Sequence, residues 1–199
     1  MNLSSLVLGI DLGTSGIRIA ILDKKKNLIY NSSAKYLCDF ENCEHWRYIC
    51  KQLIWEIPKN FKEKLIACSI DGTSGTLLAC TKNGIPLGNA LPYYITNQEV
   101  KELLIKEFSN AEETLNLNTS IVRAKQLKSL YRENFLLRHQ ADWIAGWLLN
   151  CWDYGEEGNN LKLGWNISKK QWSQLNLKTN LNLLLPKIVS SGELLGKLA

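Results

Sequence analysis

Leu6-Val7-Leu8-Gly9-Ile10-Asp11-Leu12-Gly13-Thr14-Ser15-Gly16 is the stretch that decides the fold. Its first half is a continuous apolar run, as a buried strand requires. Asp11 ends that run, and a bend rich in glycine and hydroxyl residues follows. Beyond the bend, Ile17, Ile19 and Ile21 alternate with Arg18, Ala20 and Leu22, which reads as a second strand up to Asp23. Lys24 to Asn27 turns the chain, and Leu28-Ile29-Tyr30 opens a third strand. The same unit recurs further on. Leu65 to Ile70 reads as a buried strand ending at Asp71, Gly72-Thr73-Ser74-Gly75 as a turn, and Thr76 to Cys80 as the returning strand before the Asn83-Gly84 turn signal.

A carboxylate at the C-terminal end of a buried strand lies where ligands of α/β proteins collect. Asp11 stands there, and a divalent cation with its waters is a good partner for it. Gly13 and Gly16 have no side chain to block approach to the backbone N–H groups of the bend, and Thr14 and Ser15 add hydroxyl donors. Several such donors converging on one concavity make an anion site suited to the terminal phosphates of a nucleotide, with a magnesium ion offsetting the charge between phosphate and Asp11. The plain alternative is a hairpin whose aspartate caps its own turn. The chain has no G-x-x-x-x-G-K-[ST] loop and no G-x-G-x-x-G opening a helix, so neither common nucleotide motif applies.

After Leu91 the pattern turns helical, over Gln98 to Phe108, Ser120 to Tyr131 and Gln140 to Leu149. An earlier helix is expected from Glu44 to Ile57, before Pro58, and a short one from Ser168 to Leu175 with Ser168 as its cap. Asn159 to Asn166 reads as loop or short extended structure. The 199 residues are 45% hydrophobic and 22% charged, an ordinary globular composition. The net charge of +5 fits polyphosphate binding, and the Lys24–Lys26 run reads as a solvated turn, not a nucleic-acid contact. No apolar run is long enough for a bilayer, and the N-terminus lacks the basic start of a secretory signal, so the expected location is cytoplasmic. Cys38, Cys43, His45 and Cys50 cluster without the pairing that marks zinc sites, so the six cysteines read as free thiols, Cys68 and Cys80 as buried ones.

Taken together, these segments resemble the FGGY carbohydrate kinase family of the actin-like ATPase superfamily. Asp11 to Gly16 resembles its first phosphate loop, and Ile70-Asp71-Gly72-Thr73-Ser74-Gly75-Thr76 its second hairpin, which lines the sugar site. Gln140-Ala141-Asp142-Trp143-Ile144 is similar to its Ala-Asp-Trp-Leu helix, and Asn159-Asn160-Leu161-Lys162-Leu163-Gly164-Trp165 to its Asn-Ala-Leu-Lys-Leu-Gly-Tyr segment. Leu184 to Val189 and Gly192 to Gly196 resemble the stretch before the next strand. The likeness runs over nearly the whole chain and is nearest to a cyanobacterial and plant subgroup labelled xylulokinase-like, whose members act on D-ribulose.

The resemblance implies an α/β, ribonuclease-H-like domain with a mixed β-sheet and a helical insertion from about Gln98 to Asn176, the whole chain 1–199 being an incomplete N-terminal kinase domain. It implies ATP and Mg2+ as cofactors and a small sugar as substrate, a pentulose such as D-ribulose or D-xylulose. Asp11 would hold magnesium and face the sugar; Gly13, Thr14, Ser15 and Arg18 would meet the ATP phosphates, although the alternation of Arg18 on its strand equally suits a solvated face; Ser74 would contact the sugar. Three departures stand out. Leu91-Pro92-Tyr93-Tyr94-Ile95-Thr96-Asn97 lacks the family's Trp and Asp/Arg sugar contacts, Gly155-Glu156-Glu157-Gly158 replaces a Ser-Asp, and the catalytic aspartate is expected beyond Ala199. Asp71 and Asp142 are candidate bases only on paper, since an Asp in a tight turn or helix start mostly bonds nearby N–H groups. The isolated chain is therefore expected to be inactive alone; the alternative is a truncated or decayed kinase half acting as a weak phosphate- or sugar-binding module or as an interaction partner. The sequence leaves its oligomeric state open.

Overall fold

Residues 5–108, 120–131 and 134–197 are described in a computed structural model. Residues 1–4, residues 109–119 and 132–133 of the expected helical insertion, and 198–199 lie outside them. The chain divides into two units, Met1–Thr73 and Ser74–Ala199.

In the first unit the alternation around the first bend becomes a sheet. Strands β1 (Leu6–Leu12), β2 (Gly16–Asp23) and β3 (Leu28–Lys35) are followed by helices α1 (Cys43–Glu56) and α2 (Lys59–Lys62), then β4 (Leu65–Gly72). The order is β3-β2-β1-β4. β1, β2 and β3 run antiparallel in sequence, while β4 lies parallel to β1. A parallel neighbour needs a crossover, and the segment carrying α1 provides it. Leu6, Leu8, Ile10, Leu12, Ile17, Ile19 and Ile21 share one face and are almost wholly buried. Trp46, Ile49, Cys50 and Leu53 of α1 are buried too, and the helix packs on β2 and β3. Each such Leu or Ile contributes about 1.5–3 kcal/mol by leaving water. Asn42 caps α1 by accepting from the His45 amide, and His45 Nε2 in turn accepts from the Leu37 amide at 3.0 Å.

β4 departs from expectation. Its apolar run Leu65 to Ile70 reads as buried, yet Ile66 is 69% exposed and Cys68 only half-buried. The reason is position: among the described residues its only ladder partner is β1, which makes it a sheet edge. β3 extends well beyond Tyr30, because the polar residues Asn31, Ser32 and Ser33 continue an edge strand that no apolar pattern announces.

The second unit holds β5 (Leu77–Cys80), α3 (Gln98–Glu107), α4 (Ser120–Leu130), β6 (Leu136–His139), α5 (Gln140–Leu149), β7 (Tyr154–Glu156), α6 (Glu157–Asn160), β8 (Trp165–Asn166), β9 (Gln171–Trp172), α7 (Gln174–Lys178) and β10 (Lys187–Val189). β5 pairs antiparallel with β6, β7 parallel with β10, and β8 antiparallel with β9. Leu77, Ala79, Leu104, Val122, Leu127, Phe135 and Leu137 belong to its core. The stretch 98–176 thus carries helices α3 to α6 and the start of α7, but also β6, β7, β8 and β9.

Two local expectations are corrected. The strand after the second bend, β5, does not fold back on β4 as a hairpin; it pairs with β6. Ser168 caps no helix. Lys170 adopts a left-handed turn (φ +47°), Trp165 and Trp172 meet edge to face across β8 and β9, and Ser173 caps the short α7 by accepting from the Asn176 amide. Each unit is nonetheless mixed α/β, and the first is built on a mixed sheet. Among the described residues no helix is long and apolar enough to cross a membrane.

Candidate functional site

The first bend is closed by one main-chain hydrogen bond, from the Gly13 N–H to the Gly16 carbonyl (3.0 Å). Thr14 and Ser15 are exposed at its tip. The two glycines serve different ends. A Cβ on Gly13 would meet the Gly16 carbonyl at 3.1 Å, whereas one on Gly16 would sit 2.3 Å from the Ala34 carbonyl. Gly16 is therefore demanded by the close approach of β3, not by access to the bend.

The sheet face opposite α1 carries the charges. The register aligns Ser33, Arg18, Asp11 and Asp71 in one row across all four strands, and Asn31, Ala20, Gly9 and Ser69 in the next row on the same face. The small side chains of the second row leave a hollow of about 620 Å3, whose walls include Asp11, Arg18, Ser33 and Asp71. Arg18 Nη2 lies 2.6 Å from Asp11 Oδ2, and both side chains are well exposed. Such a pair is weak in water. Asp71 Oδ1 accepts from the Gly72 N–H at 2.8 Å, the local turn bond expected for it.

Magnesium needs hard oxygen ligands, usually one or two carboxylates completed by waters and phosphate oxygens. Asp11, half-exposed and in register with Asp71, fits that donor set. Among the described residues no group of three or more His, Cys, Asp or Glu is gathered to hold an ion by protein ligands alone.

The second bend is built differently. Gly75 sits at φ +97°, a backbone region that other residues enter only under strain. Its carbonyl accepts from Arg123 Nε (2.8 Å) and Ser120 Oγ (3.4 Å). Arg123 Nη1 also donates to the carbonyls of Tyr93 (3.2 Å) and Ile95 (2.9 Å). The guanidinium is buried, which pushes its pKa down to about 10. One side chain thus ties the second bend to the Tyr93–Ile95 segment. Ser74 is exposed, and its carbonyl accepts from Lys162 Nζ at 3.3 Å. Tyr93 and Tyr94 meet edge to face with ring centres 5.2 Å apart. Arg123 escaped the sequence reading, since its partners are carbonyls, which every residue possesses.

Behind Ser120 lies a buried polar row. His139 Nε2 is 3.1 Å from Ser120 Oγ, and Nδ1 is 3.9 Å from Asp142 Oδ2. Burial pushes His139 down to about 3 and Asp142 up to about 6. Asp142 accepts from the Glu156 amide (3.1 Å), Asn159 Nδ2 (3.0 Å) and Asn160 Nδ2 (2.8 Å). This is the structural role the sequence suggested: the carboxylate pins α5 to the 156–160 segment and has almost no exposed surface to meet a substrate. Trp143 likewise belongs to the packing, fully buried with Nε1 donating to the Gly84 carbonyl at 2.9 Å.

The structure therefore brings Asp11 and Arg18 together beside the Gly13-Thr14-Ser15 bend, and sets Ser74 on the second bend in the other unit. No protein-family model matches the chain. Solved structures do. Plasmodium falciparum glycerol kinase, determined with ADP, superposes with a TM-score of 0.79 at 19% identity over 98% of this chain and 45% of that one. A xylulose kinase from Rhodospirillum rubrum gives 0.80 at 12% identity, again over 98% and 45%. A gluconate kinase from Lactobacillus acidophilus gives 0.78 at 16% identity over 98% and 44%. The chain spans less than half the length of these proteins, and what it shares with them is the sugar-kinase fold.

Proposed function

We propose that this chain is the phosphate-gripping part of an ATP-dependent sugar kinase of the FGGY type. The observation that carries the reading is the Asp11–Gly16 bend: a half-exposed carboxylate at the end of β1, an arginine beside it and two exposed hydroxyls at the tip, on a fold shared with sugar kinases. Asp11 would hold Mg2+, which would supply neutralisation of the phosphate charge. The amides of Gly13 to Ser15, the hydroxyls of Thr14 and Ser15, and the Arg18 guanidinium meet those phosphates. Hydrogen bonds to a charged phosphate are the strong kind, and a guanidinium matches its geometry. Ser74 offers the sugar a hydroxyl, with Asp11 as a second contact.

The acceptor in this reading is a pentulose such as D-ribulose or D-xylulose, and the protein works in the cytoplasm. Phosphoryl transfer also needs a base for the sugar hydroxyl. Neither Asp71 nor Asp142 suits that task, the first bonding its own turn and the second enclosed by three donors. The reading therefore expects no sugar-dependent ADP release from these 199 residues alone. Calorimetric titration with Mg·ADP and Mg·ATP tests the binding half: the wild type is expected to bind and Asp11→Asn to lose at least tenfold. Equal affinity in both proteins counts against the assignment. Steady ADP release from Mg·ATP on adding D-ribulose to the chain alone contradicts the missing base.

A further inference from the structure

We propose that Arg18 is a charge placeholder: in the nucleotide-free chain its guanidinium occupies the Asp11 carboxylate and holds off a divalent cation until phosphate draws it away. This rests on the metal and phosphate reading of the Asp11 bend, and it adds an order to the binding of the two.

The register carries the first part of the argument. Asp11 and Arg18 are direct cross-strand partners on β1 and β2, so the ladder itself holds their side chains on one face within reach. The 2.6 Å contact covers an oxygen that a cation would use. Charge carries the second part. Among the residues that line the hollow the only charged ones are Asp11, Asp71 and Arg18, two carboxylates against one guanidinium. With Arg18 on Asp11 the hollow holds a single uncompensated carboxylate; with Arg18 swung away it holds two in adjacent register positions. A cation arriving alone must therefore displace Arg18 and leave that guanidinium with water only.

Exposure carries the third part. The Arg18 side chain is 71% exposed, so little holds it in place. Gly13 lies alongside, where a Cβ would stand 4.0 Å from Arg18 Nη2, so the guanidinium already sits next to the bend. A phosphate offers a planar guanidinium two oxygens at once and draws it off the carboxylate. When phosphate and cation arrive together, Arg18 exchanges Asp11 for phosphate while Asp11 exchanges Arg18 for the cation, and no charge is stranded. Cation and nucleotide then bind with positive coupling, each raising the other's affinity by the same factor.

The test uses Mn2+ as probe, followed by electron paramagnetic resonance, on the 199-residue chain and on Arg18→Gln and Asp11→Asn. Circular dichroism checks that each variant keeps its fold, which exposed positions on one sheet face allow. Without nucleotide, Arg18→Gln is expected to bind Mn2+ about two- to fivefold tighter than wild type, the range set by a surface ion pair. With ADP present the order reverses, and Arg18→Gln holds Mn·ADP more weakly. Added salt narrows the first difference. Unchanged or weaker Mn2+ binding in Arg18→Gln, with Asp11→Asn still losing it, overturns the placeholder and leaves the metal reading standing. Mn2+ binding that ignores Asp11, or that fails to occur in wild type and Arg18→Gln alike with and without ADP, overturns both.

Discussion

The two bends begin almost alike, Ile10-Asp11-Leu12-Gly13-Thr14-Ser15-Gly16 against Ile70-Asp71-Gly72-Thr73-Ser74-Gly75, and end in different places. The first returns on itself: β2 runs back along β1 and both lie in one sheet. After the second, β5 pairs with β6. The strand after each bend accounts for the difference. Ile17, Ile19 and Ile21 alternate with more exposed residues, the pattern of a strand with one covered face. Leu77, Leu78, Ala79 and Cys80 are buried without alternation, so that strand needs cover on both faces. Similar turn chemistry therefore serves two architectures, and the periodicity downstream selects between them. The supports differ as well: the first bend is sustained by backbone proximity to β3, the second by a buried arginine.

Substitutions probe that contrast. The largest effect is expected at Arg123. Arg123→Met removes the donors to the carbonyls of Gly75, Tyr93 and Ile95 and is expected to cost about 3 kcal/mol or more, seen as a lower urea midpoint. Next is Gly16→Ala, whose Cβ would stand 2.3 Å from one backbone atom and 2.9 Å from another of β3. The strand must shift, at about 2–3 kcal/mol. Gly75→Ala enters a φ of +97° against the side chains of Arg123, Lys162 and Tyr93, and is expected to cost about 1–2 kcal/mol. If Gly16→Ala proves neutral while Gly75→Ala does not, the proximity argument for the first bend is wrong.

The carbonyl network of the second bend reaches a histidine, which adds a pH dependence. His139, held near 3 in the folded state, takes its proton in the unfolded chain as pH falls below the ordinary 6.5, so stability is lost on that side. Asp142, raised to about 6, takes its proton first in the folded state, so between about pH 6 and its ordinary 3.8 stability is gained as pH falls. The two slopes oppose each other in the wild type. In His139→Gln only the Asp142 slope remains. That variant is expected to gain about 2–3 kcal/mol relative to wild type from pH 6.5 to pH 4, read from urea midpoints across the series. A parallel pH profile for the two proteins contradicts the assignment.

Much of the first unit was legible because its core is written in alternation. The Leu6 to Leu12 and Ile17 to Ile21 positions fall on one buried face, and α1 lies within a residue of its expected bounds. β4 was legible as a strand but not as an edge, since an apolar run does not say how many neighbours it will have. α4 hides its chemistry for a related reason. Ser120 to Ala124 are all buried, so the start of the helix has no exposed face, and a buried arginine contradicts the usual exposure of that residue. The Ser168 cap failed to the Ser173 cap five residues on, where Ser173 and Asn176 form the local bond. Asp11 and Arg18 were named from sequence, yet their pairing is a property of register across a hairpin, which turn length alone does not specify.

Amide NMR of the labelled chain during titration with Mg·ADP addresses the central claim most directly. The account predicts that the N–H resonances of Gly13, Thr14, Ser15 and Gly16 move progressively, that those of Gly75 and Thr76 stay in place, and that Asp11→Asn abolishes the shifts. Nucleotide binding that moves the Gly75 and Thr76 resonances and leaves Gly13 to Gly16 untouched would contradict it.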